Sequence, residues 1–183
     1  MRLNESFRRT ANGGCGVESL DLKETTVPLT TAGIAIQILS SLRAHRAHAE
    51  QCTVNDCKVV VNHLIRKFSE PLGRTGEGAV RKSKMVLSGG GGNTVRDHAV
   101  PVIVLLEQLL QWPDASLEIS PENVSRLESF LRDSLLVVEI TRDEDRLLSQ
   151  RGYQRDMPDG WNIEVHALFR NPLARYQECG IEV

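Results

Sequence analysis

Residues 30–70 read TTAGIAIQILSSLRAHRAHAEQCTVNDCKVVVNHLIRKFSE, and the reading of this stretch decides the fold. In its first half Ala35, Ile38, Leu39 and Leu42 recur at the spacing of one helical face. Thr30 or Thr31 is placed to cap that helix. In its second half Cys57, Val60, Val61, Leu64, Ile65 and Phe68 form an apolar stripe. Lys58, Asn62, His63, Arg66 and Lys67 fall on the opposite, polar face. Thr53 as N-cap and Asp56 three residues on make a capping box. The link between the halves is short, so the pattern predicts an antiparallel helical hairpin.

Working outward, EPLGRTGEG (70–78) is a breaker region. AVRKSKMVLS (79–88) fits either a short helix or a strand at KMVLS. Residues 88–96 form a glycine-rich loop with four consecutive glycines. PVIVLLEQLLQW (101–112) is apolar on almost every face, which places it at the centre of a core. Pro101 suits its first turn, where a missing N–H is harmless. ISPENVSRLESFLRDS (119–134) has Ser120 as N-cap, Pro121 at the first helical position and a stripe of Val124, Leu127, Phe130 and Leu131. LLVVEI (135–140) is the best strand candidate. Thr141 and Glu144 make a second capping box, and Gly152 ends that helix. MPDGW is a turn, and NPLARYQECGIEV is a short helix stopped by Gly180. The sequence therefore predicts a mainly α fold: one helical, bundle-like domain over 29–183 with one or two short strands. A polar, poorly ordered arm over 1–28 precedes it.

The chain has 183 residues and a formal charge of −2, so no whole-molecule field steers it to nucleic acid or anionic lipid. Contact with nucleic acid would need a local basic patch. Aromatic residues make up 4%, too few to build a base-stacking surface. No apolar run approaches the length of a membrane span. The amino-terminal residues carry charge without a following apolar segment, unlike a secretory signal. Cys15, Cys52, Cys57 and Cys179 follow no framework spacing. These features lead us to expect a cytoplasmic protein with reduced thiols and no membrane association.

Three constellations invite chemistry. His45, His48 and Cys52 lie at i, i+3 and i+7, with Cys57 five residues beyond. Two imidazoles and two thiolates are a sound tetrahedral zinc set. The competing reading makes Cys52 and Cys57 the two positions of a hydrophobic staple around the Thr53 cap, with both histidines on a solvated face beside Arg43 and Arg46. Asp56-Cys57-Lys58, followed by three valines, is similar to the acidic-x-Lys strand of many metal-dependent nucleases, for which Asp21 would supply a second carboxylate. Its period, however, is helical.

The third constellation is SGGGGNTVRDHAVP (88–101). Asp97-His98-Ala99-Val100-Pro101 resembles the first motif of HNH endonucleases, an acidic-His-x-x-Pro run that ends a strand. The resemblance implies His98 as general base and Asp97 as ligand to a divalent metal (Mg, Mn or Zn). Glu107, a turn and a half along the following helix, would be a further ligand. The match covers five residues; the next histidine is His166, and the Asn and second His expected downstream are missing. The glycines before it offer a phosphate cradle supported by Lys82, Lys84 and Arg96. No Gly-Lys-Ser/Thr ending accompanies them, and a linker that orders on a partner is the simpler reading. As a structural residue at a helix N-terminus, His98 would be favoured neutral. Trp161, Arg175 and Tyr176 suit either an exposed interaction anchor or the last layer of the core.

No catalytic set is complete, and capping with apolar periodicity explains most of the marked residues. The leading expectation is a small accessory module without catalytic activity or cofactor, which contacts another protein or a nucleoprotein complex. The alternative is a divergent HNH-like nuclease centred on Asp97 and His98. A zinc-stabilised protein using His45, His48, Cys52 and Cys57 is a third option.

Overall fold

The computed structural model describes residues 29–69, 80–90 and 92–183. The arm over 1–28 with Asp21 and Cys15, the breaker stretch over 70–78 with Ala79, and Gly91 lie outside these residues. Among the described residues the fold is mainly α, with a small three-stranded sheet.

The hairpin forms as the sequence predicts. Helix α1 spans Thr31–Ala47 and is capped by Thr30, whose hydroxyl accepts from the Gly33 N–H at 3.0 Å. Helix α2 spans Val54–Phe68 and opens with the Thr53–Asp56 capping box. The Thr53 hydroxyl and N–H both donate to the Asp56 carboxylate and hold its pKa below the ordinary value. The two helices bury Ile34, Ala35, Ile38, Leu39 and Leu42 against Cys57, Val61, Ile65 and Phe68. Val60 departs from the predicted stripe and is 46% exposed, because it sits at the edge of the buried arc.

The apolar segment after Pro101 is helix α4, and it joins the hairpin core as expected. To number the elements in order, β1 is Arg81–Lys82, α3 is Lys84–Leu87, β2 is Thr94–His98 and α4 is Val102–Leu110. Leu105, Leu106 and Leu109 are buried among the residues of α1 and α2. A four-residue helix, α5 (Asp114–Leu117), leads into α6 (Pro121–Ser134), which is capped by Ser120 and contributes Leu127 and Leu131. Val124 and Phe130 of the predicted stripe are only partly buried. Trp161, from a 3-10 turn over Asp159–Asn162, closes this core.

The sheet is where the structure adds to the sequence reading. The LLVVEI segment forms β3 (Val137–Thr141) and takes the central position, parallel to β1 and antiparallel to β2. Burial on both faces accounts for its unbroken Val-Val-x-Ile run. Strand β2 lies inside the segment read as glycine loop and helix start. Its residues alternate in exposure only weakly, so no period-2 signal marked it. It is fixed in register by β3, with Thr94 opposite Thr141 and His98 opposite Val137. The ambiguous 79–88 segment divides between β1 and α3.

Thr141 ends β3 and caps α7 (Arg142–Gln150), with the Glu144 box in place. Gly152 and Gly180 both have positive φ (82° and 72°), as glycines that stop helices do. Helix α8 (Ala174–Glu178) returns to the sheet. Tyr176 and Ile181 pack with Ala99, Val138, Ile140 and Leu148 into a second buried cluster. No described helix is long and apolar enough to cross a membrane.

Candidate functional site

Asp97 and His98 occupy the last two positions of β2, immediately before the turn into α4. Both line one polar cleft, but their hydrogen-bonding commitments differ. Asp97 faces the second core cluster, where it meets α8. The buried Arg175 guanidinium donates from Nη2 to Asp97 Oδ2 and to the His98 carbonyl, from Nε to the Ala99 carbonyl at 2.8 Å, and from Nη1 to the Tyr153 carbonyl at 2.8 Å. The Tyr176 hydroxyl donates to the same Asp97 oxygen at 2.6 Å. Burial, then the Asp97 charge, drives the Tyr176 pKa well above its ordinary value, so the phenol stays a donor. One guanidinium thus holds the end of β2, the turn after it and the loop at Tyr153 against α8.

This network moves Arg175 and Tyr176 out of the class of exposed anchors. Arg175 is 1% exposed, Tyr176 0% and Trp161 4%. All three are buried: Arg175 and Tyr176 because β2 presents a carboxylate that a buried cation and donor satisfy, and Trp161 because it packs into the helical core. Arg96 alone of that proposed set is exposed; it lies opposite Glu139 on β3 and contributes to lowering the Glu139 pKa, behind Thr94 and Lys82.

Glu107 does not join Asp97 and His98. It lies 4.0 Å from Lys58 of α2, both on the partly exposed side of the α2–α4 seam. The proposed zinc ligands do not gather either. His45 Nδ1 lies 2.9 Å from the Cys52 carbonyl, His48 is the exposed C-cap of α1, and buried Cys57 donates to the Ser41 carbonyl at 3.7 Å. Burial, with the neighbouring Cys52, raises the Cys57 pKa and disfavours the thiolate a metal needs. Among the described residues no group of three His, Cys, Asp or Glu side chains is placed to hold a metal ion. Asp56 is a helix-capping residue, and Lys58 lies on the same helix, so the acidic-x-Lys strand is absent from this segment.

The cleft that His98 lines with Asp97 is polar, about 200 Å³, and lies between α2, the β2–α4 turn and residues 154–155. Asn62 and Arg66 enter from α2, with Arg66 Nε donating to Asn62 Oδ1 at 2.8 Å. Arg96, Gln154 and Arg155 complete the polar wall. Burial and the Arg66 charge, only partly opposed by Asp97, lower the His98 pKa, so the imidazole is neutral near pH 7. The cleft floor is the first turn of α4, where Pro101 offers no side-chain cap to the N–H groups.

The sequence marked Asp97, His98 and Arg96, but Asn62 and Arg66 only as part of a solvated face, and Gln154 and Arg155 not at all. The i, i+4 spacing of Asn62 and Arg66 was the available signal; nothing local links residues 154–155 to α2. No protein-family model matches this chain, and neither a curated protein nor a solved structure matches it.

Proposed function

We propose that this protein is a small accessory module that binds another protein or a nucleoprotein complex and catalyses no reaction. The observation that supports this reading is the commitment of Asp97. Its carboxylate carries the buried Arg175 guanidinium and the Tyr176 hydroxyl, while Glu107 is directed to Lys58. A carboxylate held this way serves the fold, and the acid–imidazole pair is left without a second ligand. The test is a His98→Ala variant that keeps its fold, examined in a cellular assay of the protein's role. Activity reduced no further than partner binding is reduced is the expected result; complete loss with partner binding intact would overturn the reading.

One observation favours the alternative of an HNH-like nuclease. The Asp97–Pro101 run ends a strand, as in that family's motif, and His98 is held neutral as a base must be. Incubating the pure protein with DNA or RNA and Mg²⁺, Mn²⁺ or Zn²⁺, with and without chelator, decides between them. Metal-dependent cleavage that is lost in His98→Ala would establish the nuclease; intact substrate in every lane would end it.

A further inference from the structure

We propose that the cleft beside His98 is a binding site for one phosphate group, presented as a phosphomonoester on a partner protein; this rests on the interaction reading above. Three separate segments bring guanidinium groups to its wall: Arg66 from α2, Arg96 from β2 and Arg155 from the loop after α7. Among the described residues neither Arg66 nor Arg155 has an ion-pair partner; Arg66 spends its Nε on Asn62, which leaves both terminal nitrogens as donors. Planar guanidinium forks match phosphate oxygens two at a time. Neutral His98 adds one N–H in either tautomer, and Asn62 and Gln154 add amide donors.

The acidic residue at the cleft, Asp97, does not repel an anion as a bare carboxylate would. Its charge is already opposed by Arg175, the buried cation behind it. Val102 and Ile103 also line the cleft, in the first turn of the nine-residue α4, where helix geometry supplies their amides no internal acceptor. They add to a site already defined by the converging cations.

The dimensions and the rest of the surface favour a single phosphate over a nucleic-acid backbone. About 200 Å³ accommodates one phosphate group and little more of its carrier. Nucleic-acid binding uses an extended cationic track and exposed rings for stacking. This chain carries −2 overall, and its Trp161 and Tyr176 rings are buried.

The experiment is a titration of the ¹⁵N-labelled full chain, followed by two-dimensional NMR at constant ionic strength. The probes are inorganic phosphate, phosphoserine, a single-stranded oligonucleotide and, as control, chloride. Saturable shifts from phosphate and phosphoserine at Asn62, Arg66, His98, Val102, Ile103 and Arg155 are expected. Arg66→Gln and Arg155→Gln should each weaken phosphoserine about tenfold, with Arg151→Gln, an exposed residue that does not line the cleft, unchanged. Shifts that do not saturate, or wild-type affinity retained in both cleft variants, would overturn the site. A tighter oligonucleotide complex spread over a wider surface would overturn the phosphomonoester in favour of nucleic acid. Release of free phosphate from phosphoserine, with the same saturable shifts, would support the site while overturning only the non-catalytic reading.

Discussion

The helical half of the molecule and its sheet corner are held together by different means. Around α1, α2, α4 and α6 the interior is aliphatic, and each helix contributes a stripe whose members are interchangeable in kind. At the sheet corner the interior includes a charge. Arg175 reaches four acceptors on two separated segments, and two of those acceptors are backbone carbonyls at one strand end. Aliphatic packing tolerates approximation because dispersion and burial are non-directional. A buried guanidinium tolerates little, since each unsatisfied group keeps its desolvation cost.

That contrast makes graded predictions. Arg175→Met should cost the most, about 3–5 kcal/mol, because it leaves the Asp97 carboxylate partly buried without a cation. Denaturant melts read the loss, and adding Asp97→Asn should recover a substantial part of it; simple additivity of the two changes would show that the pair is not coupled. In the helical half Leu105→Ala should cost roughly 2–5 kcal/mol through transfer and cavity terms. No second substitution at a polar site should rescue it. Tyr176→Phe removes one bond to a charged acceptor and should cost about 1.5–3 kcal/mol. Ser120→Ala removes the α6 cap and should cost about 1 kcal/mol, read as a shift in Tm.

The smallest effect is the most diagnostic of the cleft. The folded His98 pKa lies below its unfolded value of 6.5. Above that pH both states hold a neutral imidazole and the residue adds no pH dependence. As the pH falls below it, the unfolded chain takes up the proton first and stability declines. The decline levels off once the folded imidazole protonates as well. Stability against pH for wild type and His98→Asn should therefore run parallel well above pH 6.5 and depart from parallel below it, with the variant losing less.

The same contrast explains what the sequence disclosed. The hairpin, α4, α6 and α7 follow from stripes, caps and boxes, all of which are local rules written within a few residues. Thr53–Asp56 and Thr141–Glu144 are read directly. Strand β2 is not, because its place depends on pairing with β3, more than forty residues on, and its TVRDH sequence has no alternation of its own. Asp97 and His98 were singled out as adjacent residues, but the commitment of the Asp97 carboxylate to Arg175 and Tyr176, more than seventy residues on, has no local signal. The sequence left Arg175 open between an exposed anchor and the core, since arginine is seldom fully buried. Only its three-dimensional partners reveal why this one is. The cleft draws on α2, β2 and residues 154–155, and no short-range pattern announces that meeting.

Arg175 also lies 78 residues beyond Asp97 in the chain. The ring it closes is therefore one of the longest in the structure, and a ring of that length forms late in folding, after local helices. The hairpin can assemble from neighbouring residues alone, whereas the strand end that carries His98 is secured only when α8 docks. Mutations at Arg175 should accordingly speed unfolding and leave the folding rate nearly untouched.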